Sequence, residues 1–135
     1  MPPQSVPARA RLFLFDPNSQ ARKSLHELFE DEGFDVVGAS GDAGSALRQI
    51  LDLRPDVCVL DAGFPSRTGV SLCKQVHIVA PDIPCIVLAA WHTPELAHAS
   101  TAAGAHAFVL KNVFAAELLT AVTAALALGP GGQRL

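Results

Sequence analysis

Short unbroken apolar runs alternate along this chain with stretches in which apolar side chains recur every three to four positions. The most telling run is Val57-Cys58-Val59-Leu60, which leads straight into Asp61 and is broken by Ala62-Gly63-Phe64-Pro65. A continuous apolar run bounded by turn residues predicts a strand buried on both faces, central in a parallel sheet. Arg11–Phe15, Phe34–Ala39, Ile83–Ala89 and Ala107–Leu110 read as four further strands. Between them the spacing changes to that of helices. The first is expected over 20–32, capped by Ser19 or Asn18, with Leu25, Leu28 and Phe29 inward and Gly33 as its stop. The second covers 42–53, with Ala46, Leu47, Ile50 and Leu51 inward and Arg54-Pro55-Asp56 as its end. The third covers 70–79. Thr93-Pro94-Glu95 opens the fourth, which runs to about Gly104. The fifth spans 113–128, with Phe114, Leu118, Leu119, Val122 and Leu126 inward.

Strand and helix alternate five times without an internal repeat. The expected fold is therefore α/β, a doubly wound five-stranded parallel sheet with right-handed crossovers. Residues 1–10, with Pro2, Pro3 and Pro7, read as a loose arm, and 11–128 as one domain. Residues 129–135 begin Gly-Pro-Gly-Gly and read as a linker-like tail to an output domain beyond this chain.

Composition narrows the function. Half of the residues are apolar and 17% are charged, so the chain has the means to bury a core. A net charge of -3 with no basic cluster argues against nucleic-acid binding by this segment. No apolar run reaches the length of a membrane span, and the N-terminus lacks the layout of a signal peptide. Cys58, Cys73 and Cys85 show no CxxC spacing, and two of them sit inside apolar runs. Buried reduced thiols, and with them a cytoplasmic location, are expected. The five histidines show no metal-ligand spacing on one face.

Three polar residues close strands at their C-terminal ends: Asp16, Asp61 and Lys111. One such acid alone is more readily a turn or helix cap than a functional group. In the strand order 2-1-3-4-5, however, the strands ending in Asp16 and Asp61 are neighbours, ~4.8 Å apart at the topological switch point. Lys111 then lies roughly 10 Å away along the sheet, within reach of its side chain. Paired carboxylates suit a hard divalent cation, and an ammonium beside them steadies added anionic charge.

These residues carry a resemblance. Leu12-Phe13-Leu14-Phe15-Asp16, Arg54-Pro55-Asp56-Val57-Cys58-Val59-Leu60-Asp61 and Phe64-Pro65 followed by Gly69 resemble the receiver domain of two-component response regulators. So do Pro84-Cys85-Ile86-Val87-Leu88, Ala103-Gly104-Ala105 and Phe108-Val109-Leu110-Lys111. The resemblance covers about residues 10–128 and implies the flavodoxin-like (βα)5 fold of CheY-like proteins. It implies that Asp61 accepts a phosphoryl group from a sensor histidine kinase or phosphotransfer protein, and that Lys111 salt-bridges the acyl phosphate. It implies Mg²⁺ held by Asp16, Asp61 and the carbonyl of Gly63. No enzyme activity is implied beyond Mg²⁺-assisted self-phosphorylation and dephosphorylation.

The pattern departs in three places. Pro17 stands where receivers carry a second acid, which should cost a metal site ~1.5–3 kcal/mol, one to two decades in affinity. Ala89 stands at the switch position of a Thr or Ser, and its partner aromatic is Phe108, so no hydroxyl is present at either. Asn112 replaces a proline after the lysine, so a trans bond is expected there.

From Ala89 to Leu110 the one formally charged residue is Glu95. Leu96, Ala97, Ala99, Ala102 and Ala103 offer small apolar side chains that suit a partner, and the resemblance implies a homodimer through the fourth helix, fifth strand and fifth helix, a common dimer face of receivers. The same alanines also suit a helix that merely fills space cheaply. Trp91 should sit at the mouth of the site. Two further readings remain beside the phosphoacceptor: a phosphorylation-independent pseudo-receiver that dimerises or docks, and an enzyme on a flavodoxin-like or haloacid-phosphatase-like scaffold. The last lacks a Gly-rich loop after the first strand, and Asp16-Pro17-Asn18 lacks the second Asp it requires.

Overall fold

Each of the five apolar runs forms a strand, and their edges pair in one order. The computed structural model describes residues 9–63, 66–111 and 115–127. In chain order the elements are β1 (Arg11–Phe15), α1 (Ser19–Asp31), β2 (Asp35–Ser40), α2 (Ala43–Leu53) and β3 (Val57–Asp61). They continue with α3 (Thr68–Val79), β4 (Cys85–Ala89), α4 (Pro94–Ala102), β5 (Ala107–Leu110) and α5 (Ala115–Leu126). All strands are parallel, in the order β2-β1-β3-β4-β5.

The alternation of side chains along each strand builds two cores. Phe13, Phe15, Cys58, Leu60, Cys85 and Val87 face one side, where Ala46 and Ile50 of α2, Val76 of α3 and Leu96 of α4 cover them. Leu12, Leu14, Val57, Val59, Ile86 and Leu88 face the other, against Phe29 of α1 and Leu118 and Val122 of α5. Burial on both faces explains why β1, β3 and β4 are continuous apolar runs rather than alternating ones.

The helix ends follow local chemistry. Asn18, one of the two expected caps, accepts from the Ala21 N–H at 2.8 Å, and Asp42 and Thr93 cap α2 and α4 through Ser45 and Leu96. Arg54 ends α2 in the left-handed region at φ 49°. Several boundaries differ from the pattern. β4 starts at Cys85 because Ile83 closes a turn onto the Ala80 carbonyl and Pro84 has no N–H to pair. β2 is shifted to end at Ser40, and α3 begins earlier, at Thr68. Arg9, assigned to the loose arm, is tied down by donating to the carbonyls of Gly33 (3.0 Å) and Phe34 (2.7 Å). Residues 1–8, Phe64, Pro65, Asn112, Val113, Phe114 and Leu128, with the 129–135 tail, lie outside the described residues, and with them both expected ends of the fifth helix.

Candidate functional site

Register brings the polar strand ends together. Phe15 pairs with Leu60, so Asp16 and Asp61 leave adjacent strands at the same level. Ala89 pairs with Leu110, which sets Lys111 at the same edge two strands away. The Lys111 ammonium reaches back and bridges both acids, 2.7 Å from Asp16 Oδ2 and 3.0 Å from Asp61 Oδ1. Burial pulls its pKa down, but hydrogen bonds and charge from both carboxylates outweigh that and hold it above the ordinary lysine value.

The two acids differ in access. The Asp16 side chain is 1% exposed and that of Asp61 16% exposed. Asp16 Oδ1 accepts the Asn18 N–H at 2.9 Å, and Arg22 Nη1 donates to the Asp16 carbonyl at 2.7 Å. Asp61 Oδ2 accepts the Gly63 N–H at 3.0 Å. Asp61 therefore faces the open cleft while Asp16 lies behind it. The cleft, about 610 Å³, is lined by both acids, Pro17, Ala89, Trp91 and Lys111 among others. Trp91 is 62% exposed at its rim, as its place after β4 predicts.

Gly63 holds the turn out of β3. Its φ is +80°, and a Cβ there would run into the Thr68 hydroxyl. Its carbonyl, the third expected metal ligand, accepts the Arg67 N–H at 2.7 Å and the Ser66 hydroxyl at 3.2 Å. With Pro17 supplying no carboxylate and Lys111 between the acids, the residues as arranged do not fit an octahedral Mg²⁺. Among the described residues no three His, Cys, Asp or Glu side chains are grouped to hold a metal. Three contacts escaped the sequence pattern: Arg22 on the Asp16 carbonyl, the capture of the Gly63 carbonyl, and His92, whose ring meets Phe108 edge-on at 5.8 Å.

The thiols are buried and free as expected. Cys73 and Cys85 are raised well above the ordinary value, chiefly by neighbouring thiols and by burial, so they stay protonated. The expected apolar face of α4 is corrected in part. Leu96 (3% exposed) and Ala103 (4%) belong to the core, and Ala99 packs against it, while Glu95, His98 and Thr101 face out.

The sequence matches the response regulator receiver domain over residues 12–123. The chain belongs to that family. This receiver domain is 34% identical over 113 residues to the DNA-binding transcriptional activator DevR/DosR of Mycobacterium tuberculosis, covering 83% of this chain and 52% of that protein. It is likewise 34% identical over 116 residues to the transcriptional regulatory protein PrrA of Mycobacterium leprae, covering 86% of this chain and 49% of PrrA. The chain thus spans about half the length of these curated relatives. Among solved structures, a LuxR-family two-component response regulator from Aurantimonas sp. SI85-9A1 superposes with a TM-score of 0.83 at 27% identity, covering 91% of this chain and 89% of that one. A CheY-like receiver domain from Methanospirillum hungatei JF-1 gives 0.79 at 25% identity, covering 88% and 94%. Among the described residues, no helix is long and apolar enough to cross a membrane.

Proposed function

We propose that this receiver takes a phosphoryl group on Asp61 and relays that state by protein contact, as a signalling regulator rather than a turnover catalyst. The observation that carries the reading is the asymmetry of the acid pair. Asp61 is the carboxylate open to the cleft, and Lys111 stands against it with a charge that balances an added phosphoryl group. A carboxylate oxygen of Asp61 attacks the phosphorus of a phosphohistidine on a sensor kinase or phosphotransfer protein. The O–P bond forms as the P–N bond breaks, and the leaving imidazole takes up a proton from solvent. Lys111 then pairs with the acyl phosphate, and Asp16 holds the lysine in place. Asp16, Asp61 and the Gly63 carbonyl are the residues that would hold a Mg²⁺, and with Lys111 on both acids its binding would be weak.

Residues 11–128 form the receiver in this reading, with 1–10 and 129–135 as flanking arm and linker in the cytoplasm. An output module beyond it, DNA-binding as in the DevR/DosR relative, is supported by the half-length match. A homodimer through α4, β5 and α5 is supported by the scarcity of charge. Glu95 stands alone between Ala89 and Leu110, and α5 adds one exposed charge, Glu117, beside Thr120, Thr123 and Ala124. Incubation with a small acyl phosphate tests the acceptor. One phosphoryl increment in intact mass, absent from Asp61→Asn, is expected. No gain in the wild type would instead support the docking-only reading to which Pro17 and Ala89 point.

A further inference from the structure

Four oxygens of the acid pair and one carbonyl decide which cation this site keeps. Lys111 occupies one oxygen of each acid, at 2.7 and 3.0 Å. The other two already accept backbone N–H groups, from Asn18 at 2.9 Å and Gly63 at 3.0 Å. The Gly63 carbonyl points at the start of α3 and accepts two donors there, Arg67 N–H and the Ser66 hydroxyl. Pro17 offers no oxygen beyond its carbonyl. Asp42, the remaining carboxylate on the cleft, is committed to capping α2 through the Ser45 N–H at 2.8 Å. Arg22 brings a second cation close by, held on the Asp16 backbone carbonyl at 2.7 Å.

A divalent ion gains little in such a place. Mg²⁺ demands six oxygens at 2.0–2.1 Å and gives up its waters reluctantly. To enter it must expel an ammonium, open the first turn of α3, and sit beside two cations. We infer that Lys111 takes the place of a divalent cation in this chain: its ammonium is the resident counter-ion of the Asp16–Asp61 pair, and phosphoryl transfer to Asp61 proceeds without Mg²⁺. The second half rests on the phosphoacceptor reading above; the first does not.

Two measurements on the whole chain separate these halves. Mn²⁺, a paramagnetic probe of similar ligand preference, is titrated into wild type and Lys111→Gln, and free Mn²⁺ is read by electron paramagnetic resonance. Wild type should show no saturable binding in the submillimolar range, and the glutamine variant should bind about tenfold tighter or more, a difference of ~1.4 kcal/mol. Submillimolar binding by wild type, or no gain in a folded Lys111→Gln, would overturn the counter-ion assignment. Labelling of wild type by an acyl phosphate is then timed in EDTA and in excess Mg²⁺. Rates within about twofold are expected, a gap of ~0.4 kcal/mol in barrier, and labelling that needs Mg²⁺ overturns metal-free transfer. No labelling in either buffer overturns the phosphoacceptor reading and metal-free transfer together, while the Mn²⁺ titration, which needs no phosphoryl group, still judges the counter-ion.

Discussion

Lys111 binds two carboxylates at once, and its raised pKa makes that contact a pH-dependent source of stability. A group whose pKa is higher folded than unfolded stabilises fully below its unfolded value and loses that contribution as pH rises through the folded one. Stability should therefore hold at neutral pH and fall on the alkaline side, beginning above the ordinary lysine value of 10.5. Urea denaturation across that range should show the fall in wild type and a flatter limb in Lys111→Gln; equal slopes would remove Lys111 as its source. At this scale the sequence was readable where a polar residue ends an apolar run, because strand ends of a parallel sheet share one edge. That is why Asp16, Asp61 and Lys111 could be placed. The Arg22 contact and the occupied Gly63 carbonyl were not readable, since both depend on how the backbone turns after the strand.

Between elements, the contact of α3 with β3 sets where Asp61 stands. A Cβ at position 69 would run into the Asp61 backbone carbonyl, so glycine is what lets α3 approach. Gly69→Ala should cost ~1–3 kcal/mol by overpacking, read as a lower urea midpoint, and slow labelling at Asp61; an unchanged midpoint would contradict the packing. The other side of the cleft is quieter. Ala89 and Phe108 carry no hydroxyl, so phosphorylation lacks a hydrogen bond to pull β4 and α4 toward Asp61. Amide shifts on phosphorylation should cluster around the cleft and leave 94–102 nearly unmoved, and Ala89→Thr should extend them into α4. Strong shifts throughout α4 in wild type would show another coupling, through the His92–Phe108 contact for example. The strands and their burial on both faces were legible from continuous apolar runs, and their order from the common arrangement of a five-stranded doubly wound sheet. The faces of α4 were not, because alanine marks neither an inside nor an outside, and Leu96 and Ala103 turned inward.

Across the whole molecule, a parallel sheet sealed on both faces leaves its carboxyl edge as the place for chemistry and its outer helices as the place for partners. If the charge-poor α4–β5–α5 surface pairs two copies, sedimentation at rising concentration should show a dimer that Ala124→Glu on α5 weakens. A monomer at every concentration would remove it. The family, the fold and the meeting of three side chains leave one claim at the centre, that Asp61 is the acceptor. Borohydride cleaves an aspartyl phosphate and leaves homoserine in its place, so treating the acyl-phosphate-labelled chain and sequencing its peptides by mass tests that claim most directly. Homoserine at position 61 alone is the predicted result; its absence there, or its appearance at Asp16 instead, would contradict the account.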